Sequence, residues 1–351
     1  MTDVGATAPA ATAGLDALLP VAVRRALGRT VDVVDVRRVG GGASKQAWAV
    51  DVIDAGRLRP LFVRRAGATG LHAHTLPIAQ EHAVILAAHA AGVPVPRPMG
   101  NVVDVDGRDA FVAERIDAEG LGRRIVRLDT LAVARERLPL QMADALAAIH
   151  RIEVDALPLG ADKAVSDASV RVVSRLEQAL DAAREPHPAI EAGLSWLRRR
   201  RADAGTTPDA PRVLVHGDFR IGNLLVDRDG LRAVIDWEFA HLGHPLEDLA
   251  WPLVRAWRFG RDALRCGGVG HAEAYLERYN RASGRSFTAR HLAWWEVAGN
   301  VRWAISCLTQ ARRHLEGGEP DVELAVLGRL ASEVEHEILA LTQGGDDAGP
   351  A

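Results

Sequence analysis

Only two cysteines, Cys266 and Cys307, occur in 351 residues. That is too few for a disulfide framework and fits a reducing cytoplasm. Lysine is as rare: Lys45 and Lys163 stand against forty-one arginines, so a role that calls for a cation falls mostly to arginine. Residues 1–14 are rich in Ala and Thr and lack both the basic region and the apolar block of a signal peptide or membrane span. A net charge of −3 gives no bulk field to attract nucleic acid. Neither nucleic acid nor a membrane is therefore expected as partner, and the oligomeric state is open. His72, His74, His82 and His89 cluster in sequence, but no Cys accompanies them and their spacing fits no closed zinc site. With 48% hydrophobic and 25% charged residues, the composition is that of a soluble globular chain. Its length suits two lobes better than one core.

The polar residues that stand out lie between apolar strands. Val215-His216-Gly217-Asp218-Phe219-Arg220-Ile221-Gly222-Asn223 puts an Asp and an Asn five apart on one loop, and Val234-Ile235-Asp236 closes the next strand with a second Asp. The order and spacing match the HxDxxxxN catalytic loop and the metal-binding Asp of phosphoryl-transfer enzymes. In such chemistry the transition state is loose and charge-dispersed, so the protein mainly positions groups and neutralises charge. Asp218 is the candidate that orients the acceptor hydroxyl. Asn223 and Asp236 offer the hard oxygens that Mg²⁺ prefers. Between them, Leu224–Val226 and Leu231–Ile235 read as strands joined at Asp227-Arg228-Asp229-Gly230, a hairpin turn.

These residues resemble the aminoglycoside phosphotransferase family, small-molecule kinases of protein-kinase-like fold, and most closely the kinase domains attached to some acyl-CoA dehydrogenases. The resemblance covers most of residues 31–340. It implies an α+β bilobal fold: a small β-rich N-lobe over 21–112, a hinge at 113–117 and a larger, mainly helical C-lobe over 118–343, with loose tails at 1–20 and 344–351. It implies ATP as donor, with GTP the alternative, and Mg²⁺. Within Val39–Val50, Gly41, Gly42, Ser44 and Lys45 match the family's glycine-rich loop, where missing Cβ atoms let backbone amides approach phosphate. The strand Leu61-Phe62-Val63-Arg64-Arg65 departs from the family in having no Lys. Arg64 is the candidate phosphate-holding cation, Lys45 the fallback and Arg65 a solvated neighbour. Glu81, in the helical stretch Gln80–His89, matches the glutamate that pairs with that cation. Glu114 and Ile116, in the hinge strand, match positions that face an adenine ring through the backbone.

Farther along, Thr130–Ile152 has helical spacing, with Pro139 expected to break or kink it, and His150 is expected to be structural. Ser166–Ala183, Ile190–Arg201 and His291–Leu315 are further helical stretches. Asp248 matches a family carboxylate expected to brace the catalytic loop. His244 stands where the family usually has Asp. Gly217 replaces the Arg of regulated protein kinases, which disfavours control by loop phosphorylation.

For the acceptor, Arg255, Arg258, Arg261 and Arg265 would share one stripe if Leu253–Arg265 were helical. Such a stripe suits an anionic acceptor. Arg220, Glu238 and Trp303 complete the candidate substrate contacts. The preferred acceptor is a hydroxyacyl-CoA ester, an aminoglycoside the alternative. A catalytically silent nucleotide-binding module is the reading from another class, favoured only by the missing Lys at Arg64.

Overall fold

The computed structural model describes residues 13–40, 45–67, 75–160, 167–208, 210–316 and 322–343. They divide into two units, the first comprising Met1–Ala118, Asp155–Leu159 and Arg232–Ala240, the second Glu119–Val154, Gly160–Leu231 and His241–Ala351. Gly41, Gly42 and Ser44 lie outside the described residues.

In the first unit α1 (Ala13–Asp16) and α2 (Leu19–Leu27) precede β1 (Asp32–Val39), β2 (Lys45–Asp54), β3 (Arg57–Ala66), α3 (Ile78–Ala90), β4 (Pro98–Asp104) and β5 (Asp109–Glu114). The strands form one antiparallel sheet in the order β1-β2-β3-β5-β4. Leu19, Ala22, Val23 and Ala26 recur at helical spacing on α2 and pack with Trp48, Val50, Val52, Leu61, Val63 and Val112. The indole of Trp48 is fully buried and donates to Asp16 Oδ1 at 2.7 Å. Residues 13–20, expected within the loose tail, carry helix instead, because Leu15 and Leu19 belong to this core. Gly100 has φ +72°, and a Cβ there would lie 1.8 Å from the Ala26 carbonyl oxygen, so only glycine lets β4 meet the end of α2.

Residues 232–240, expected in the C-lobe, cluster with the first unit. Backbone bonds explain it: Val234 N–H donates to Pro94 O at 2.7 Å and Leu76 N–H to Glu238 O at 2.7 Å. Arg65 is a second correction. Expected to be solvated, it is 2% exposed and donates to Val105 O, Asp106 O and Gln46 Oε1. Adjacent strand residues face opposite ways, and the carbonyls of the 105–106 turn satisfy the guanidinium on its side of the sheet.

The second unit contains α4 (Gly122–Arg127), α5 (Ala132–Ile149), α6 (Ala168–Ala183), α7 (Pro188–Arg199), β6 (Val213–Val215) and β7 (Leu224–Asp227). β8 (Gly230–Val234), which begins in this unit with Gly230 and Leu231, follows β7 as the expected hairpin. β9 (His241–Gly243), α8 (Pro245–Ala250), α9 (Ala272–Ser283), α10 (Ala289–Leu315) and α11 (Val322–Gln343) follow. β6 and β9 pair antiparallel. On α10, Trp294 and Trp295 are buried and donate to Leu197 O and Ala204 O, tying the helix to α7 and to the turn that follows it. Pro139 does not break α5, which runs through it. An interior proline costs about 3 kcal/mol, but Leu138, Met142 and Leu146 are fully buried along the helix, each worth about 2 kcal/mol. The ring sits where a Cβ on Gly270 would come within 2.3 Å of Pro139 Cγ. No described helix is long and apolar enough to cross a membrane.

Candidate active site

In the first unit, cross-strand pairing sets Ala47 opposite Arg64. Opposed residues share a face, and so does Lys45 two positions before Ala47, so both cations project to the same side. There Glu81, on the first turn of α3 and 1% exposed, meets them both. Lys45 Nζ bonds Glu81 Oε2 and also donates to Leu76 O at 3.1 Å. Arg64 Nε lies 3.0 Å from Glu81 Oε1, an ion pair bent too far to count as a hydrogen bond. Arg64 Nη2 reaches Asp236 Oδ1 at 2.7 Å and Glu238 Oε2 at 3.2 Å.

Burial alone would push Arg64 down, but Glu81, Asp236 and Glu238 outweigh it and hold the guanidinium firmly protonated. Glu238, expected among the acceptor contacts, instead pairs with Arg64 and lies 3.5 Å from Lys45 Nζ. Its carboxylate is drawn in because α3 packs on the short turn Trp237–Phe239 that carries it. Asp236 has φ +66°, left-handed and unusual for a residue with a Cβ, the kind of strain found at functional positions. At the end of β5, Glu114 N–H donates to Arg97 O and Arg115 N–H to Pro60 O. Glu114 and Ile116 therefore sit where the sheet ends, with the Glu114 side chain 51% exposed.

In the second unit the segment from His216 to Asn223 leaves β6 and is fixed from below by Asp248. The Asp248 carboxylate, fully buried, accepts from His216 N at 2.7 Å and Gly217 N at 2.9 Å. His150 Nε2 lies 3.2 Å from Asp248 Oδ2, and His150 Nδ1 2.8 Å from the Tyr279 hydroxyl. A carboxylate only accepts, so Nε2 carries the proton and donates to it. Burial would raise Asp248, but these donors hold it below the usual carboxylate range. His150 is structural, as expected.

Above this anchor, Asp218 is held on both oxygens. Trp251 Nε1 donates to Oδ1 at 2.6 Å and Asn223 Nδ2 to Oδ2 at 2.6 Å. Arg220 Nε straddles the pair at 3.2 and 3.3 Å. Asn223 Nδ2 also donates to the Asp218 carbonyl at 2.9 Å. Because that partner only accepts, the amide orientation is determined and Oδ1 is the atom left for other partners.

Arg302 Nη2 donates to Gly217 O at 2.8 Å, its guanidinium 4.4 Å from the Trp251 ring. Trp257 lies between Trp251 at 5.5 Å and Trp303 at 4.7 Å, tilted by 54° and 55° to them. The contact of Trp251 to Asp218 and that of Arg302 to the loop carry no signal in the sequence spacing, since they join residues 33 and 85 positions apart.

The arginine stripe does not exist. Arg255–Arg258 is a short 3-10 turn, and Phe259 and Gly260 follow with φ of +49° and +82°, which ends any helix. Arg258 is 5% exposed and pairs with Glu296, as does Arg265. Arg261 donates to Val126 O, and Arg255 pairs with Asp262 and Glu337. Arg258 is thus held in a buried ion pair, whereas the pairs of Arg255 lie at the surface.

His244, in place of the family's Asp, caps α8 by accepting from Leu246 N–H through Nδ1, while Glu247 bonds back to the His244 amide. Its ring stacks on Trp295 at 5.5 Å and 9°. Burial drives it down from 6.5 to about 4. The folded form therefore stays neutral where the unfolded chain is protonated. Its contribution is full above pH 6.5 and disappears as pH falls towards 4, amounting to about 3 kcal/mol. Burial lowers His82 and His291 with the same sign. Urea unfolding at pH 7 and at pH 4.5 should show that loss in the wild type and a visibly smaller one in His244→Asn. Equal losses in the two proteins would refute it.

A model of the phosphotransferase enzyme family, APH, matches residues 35–295. Acyl-CoA dehydrogenase family member 11 of Gallus gallus is 31% identical over 221 residues, which take in 58% of this chain and 28% of that protein, so the chain spans 28% of that relative's length. A solved structure from Ralstonia eutropha JMP134, with a proposed assignment as an aminoglycoside phosphotransferase, is similar with a TM-score of 0.72 at 19% identity, over 93% of this chain and 98% of that one. A thermostable mutant of aminoglycoside phosphotransferase APH(4)-Ia, in complex with ADP and hygromycin B, gives a TM-score of 0.59 at 17% identity over 94% and 99%. These likenesses show the fold, a bilobal protein-kinase-like one. With the family model spanning more than half of its length, the chain belongs to the phosphotransferase enzyme family.

Proposed function

We propose that this enzyme transfers the γ-phosphoryl group of ATP to a hydroxyl of a small molecule, with a hydroxyacyl-CoA ester as acceptor. The observation that carries the transfer is Asp218, a carboxylate clamped on both oxygens at the head of a rigid loop. Asp218 orients the hydroxyl and takes up its proton as the oxygen bonds to phosphorus and the bond to the ADP oxygen breaks. Lys45 and Arg64, both held by Glu81, are the cations we assign to the donor phosphates, and the backbone near Glu114 and Ile116 to its base. Asn223 and Asp236 are the residues assigned to Mg²⁺. The fixed amide of Asn223 leaves an oxygen for it. The three carboxylates around Lys45 and Arg64 leave that cluster one negative charge in excess, which suits a cation. When bound, Mg²⁺ supplies charge neutralisation on the transferring group.

The acyl-CoA part rests on the likeness to acyl-CoA dehydrogenase family member 11. The complex of APH(4)-Ia with hygromycin B supports an aminoglycoside as second reading. Polycations call for carboxylates, however, and the side chains on Asp218 are an arginine, an asparagine and a tryptophan. The two buried cysteines are both free, which supports a cytoplasmic setting.

Phosphorus NMR of the protein with MgATP and either a pool of hydroxyacyl-CoA esters or one of aminoglycosides tests the reading. A new phosphoester from the first pool is expected. Transfer confined to the second would reverse the acceptor order, and unchanged ATP in both would favour the silent module. Asp236→Ala should in addition lower nucleotide affinity roughly tenfold with Mg²⁺ and little without it. Unchanged Mg²⁺-dependent affinity would remove Asp236 from the metal site.

A further inference from the structure

We propose, resting on the phosphotransferase reading, that Arg220 recognises the acceptor. It would bind a carbonyl or carboxylate oxygen a few bonds from the hydroxyl, so that the site selects carbonyl- or carboxylate-bearing acceptors against plain alcohols and polyamines.

Four observations carry it. The Arg220 guanidinium lies 4.5 Å from the Trp257 ring, a cation held over an aromatic face beside the catalytic carboxylate. Only its Nε engages Asp218, at 3.2 and 3.3 Å, and among the described residues its two terminal nitrogens make no hydrogen bond. The side chain as a whole is 26% exposed, so the residue reaches the surface beside Asp218. Gly222 keeps room for it: a Cβ there would come within 2.4 Å of Arg220 Nη1.

Asp218 does not depend on Arg220 for its position, because Trp251 and Asn223 hold its two oxygens at the shorter distance of 2.6 Å. Arg220 can therefore turn its fork to a ligand while the carboxylate stays aimed. The Trp257 and Trp303 indole N–H groups beside it are buried and have no hydrogen-bond partner among the described residues. A guanidinium fork matches oxygen acceptors and repels ammonium groups.

The test uses the full chain and one hydroxy compound in three forms, the CoA thioester, the free carboxylate and the neutral diol, with kanamycin as the polyamine. Calorimetry gives affinity and initial rates give KM and kcat. For the thioester or carboxylate, Arg220→Gln should raise Kd and KM at least tenfold while kcat falls less than threefold, and Arg220→Lys should recover part of the loss. The diol should bind at least tenfold more weakly than the carbonyl forms in the wild type. A thioester that is phosphorylated with unchanged KM in Arg220→Gln would overturn the role of Arg220 and leave the enzyme's function standing. Kanamycin as sole ligand would overturn the selection itself. Should none of the four bind, acetate titration remains decisive. It should move the indole N–H resonance of Trp257 in the wild type and not in Arg220→Gln, and no movement in the wild type would overturn the proposal.

Discussion

Asp218→Ala is expected to lower transfer about a thousandfold, within the range that a positioned proton acceptor contributes, while nucleotide affinity changes by no more than a few-fold. The separation follows from where the groups sit. The cations assigned to the donor phosphates, Lys45 and Arg64, belong to the first unit, and Asp218 to the second. Removing the carboxylate also strips partners from Trp251 Nε1 and Asn223 Nδ2, a loss of roughly 1–3 kcal/mol in stability. Asp218→Asn keeps the shape and lacks the charge, so it separates misfolding from lost chemistry. Single-turnover rates and equilibrium nucleotide binding in both variants decide the matter. Transfer within tenfold of wild type in folded Asp218→Ala would remove this residue from the reaction.

Asp248→Ala should have the largest effect on stability. Two backbone amides and one imidazole point at a carboxylate with no exposure, and none of the three would find another partner. Breaking such a buried set costs about 3–5 kcal/mol, or roughly 10 °C in melting temperature for a unit of this size. Asp248→Asn should recover little, since its amide nitrogen cannot accept from a backbone N–H. In the folded fraction at low temperature, kcat should drop at least tenfold because Gly217 and Asp218 are no longer fixed. A melting temperature within 2 °C of wild type, by the same scale, would contradict the bracing role.

Much of the architecture was readable from local chemistry. The hairpin after Asn223 followed from a four-residue turn, and Asp227 indeed accepts from Asp229 N–H there. The helix carrying Glu81, the long α10 and the structural part played by His150 were also legible, because periodicity and spacing are local properties. What failed was set by distant contacts. Arg65 reads as solvated until the carbonyls of Val105 and Asp106 are known. The Arg255–Arg265 stripe needed a helix that left-handed Phe259 and Gly260 deny, and Glu296 on α10 claims two of its members. Pro139 was overruled by packing along α5. At the candidate site, the spacing set Asp218 and Asn223 on one loop, where they bond each other, but the indole that holds Asp218 comes from 33 positions away and no spacing rule announces it.

The catalytic loop is moored through its backbone, at His216 and Gly217, to a carboxylate and a histidine in the interior. The side chains that meet solvent beside Asp218 are different ones. Arg220 can be exchanged, or Trp303 across the aromatic row, without touching a single bond of that mooring. If Arg220 reads the acceptor as proposed, acceptor choice could drift at that position while the backbone anchor of the loop stays in place.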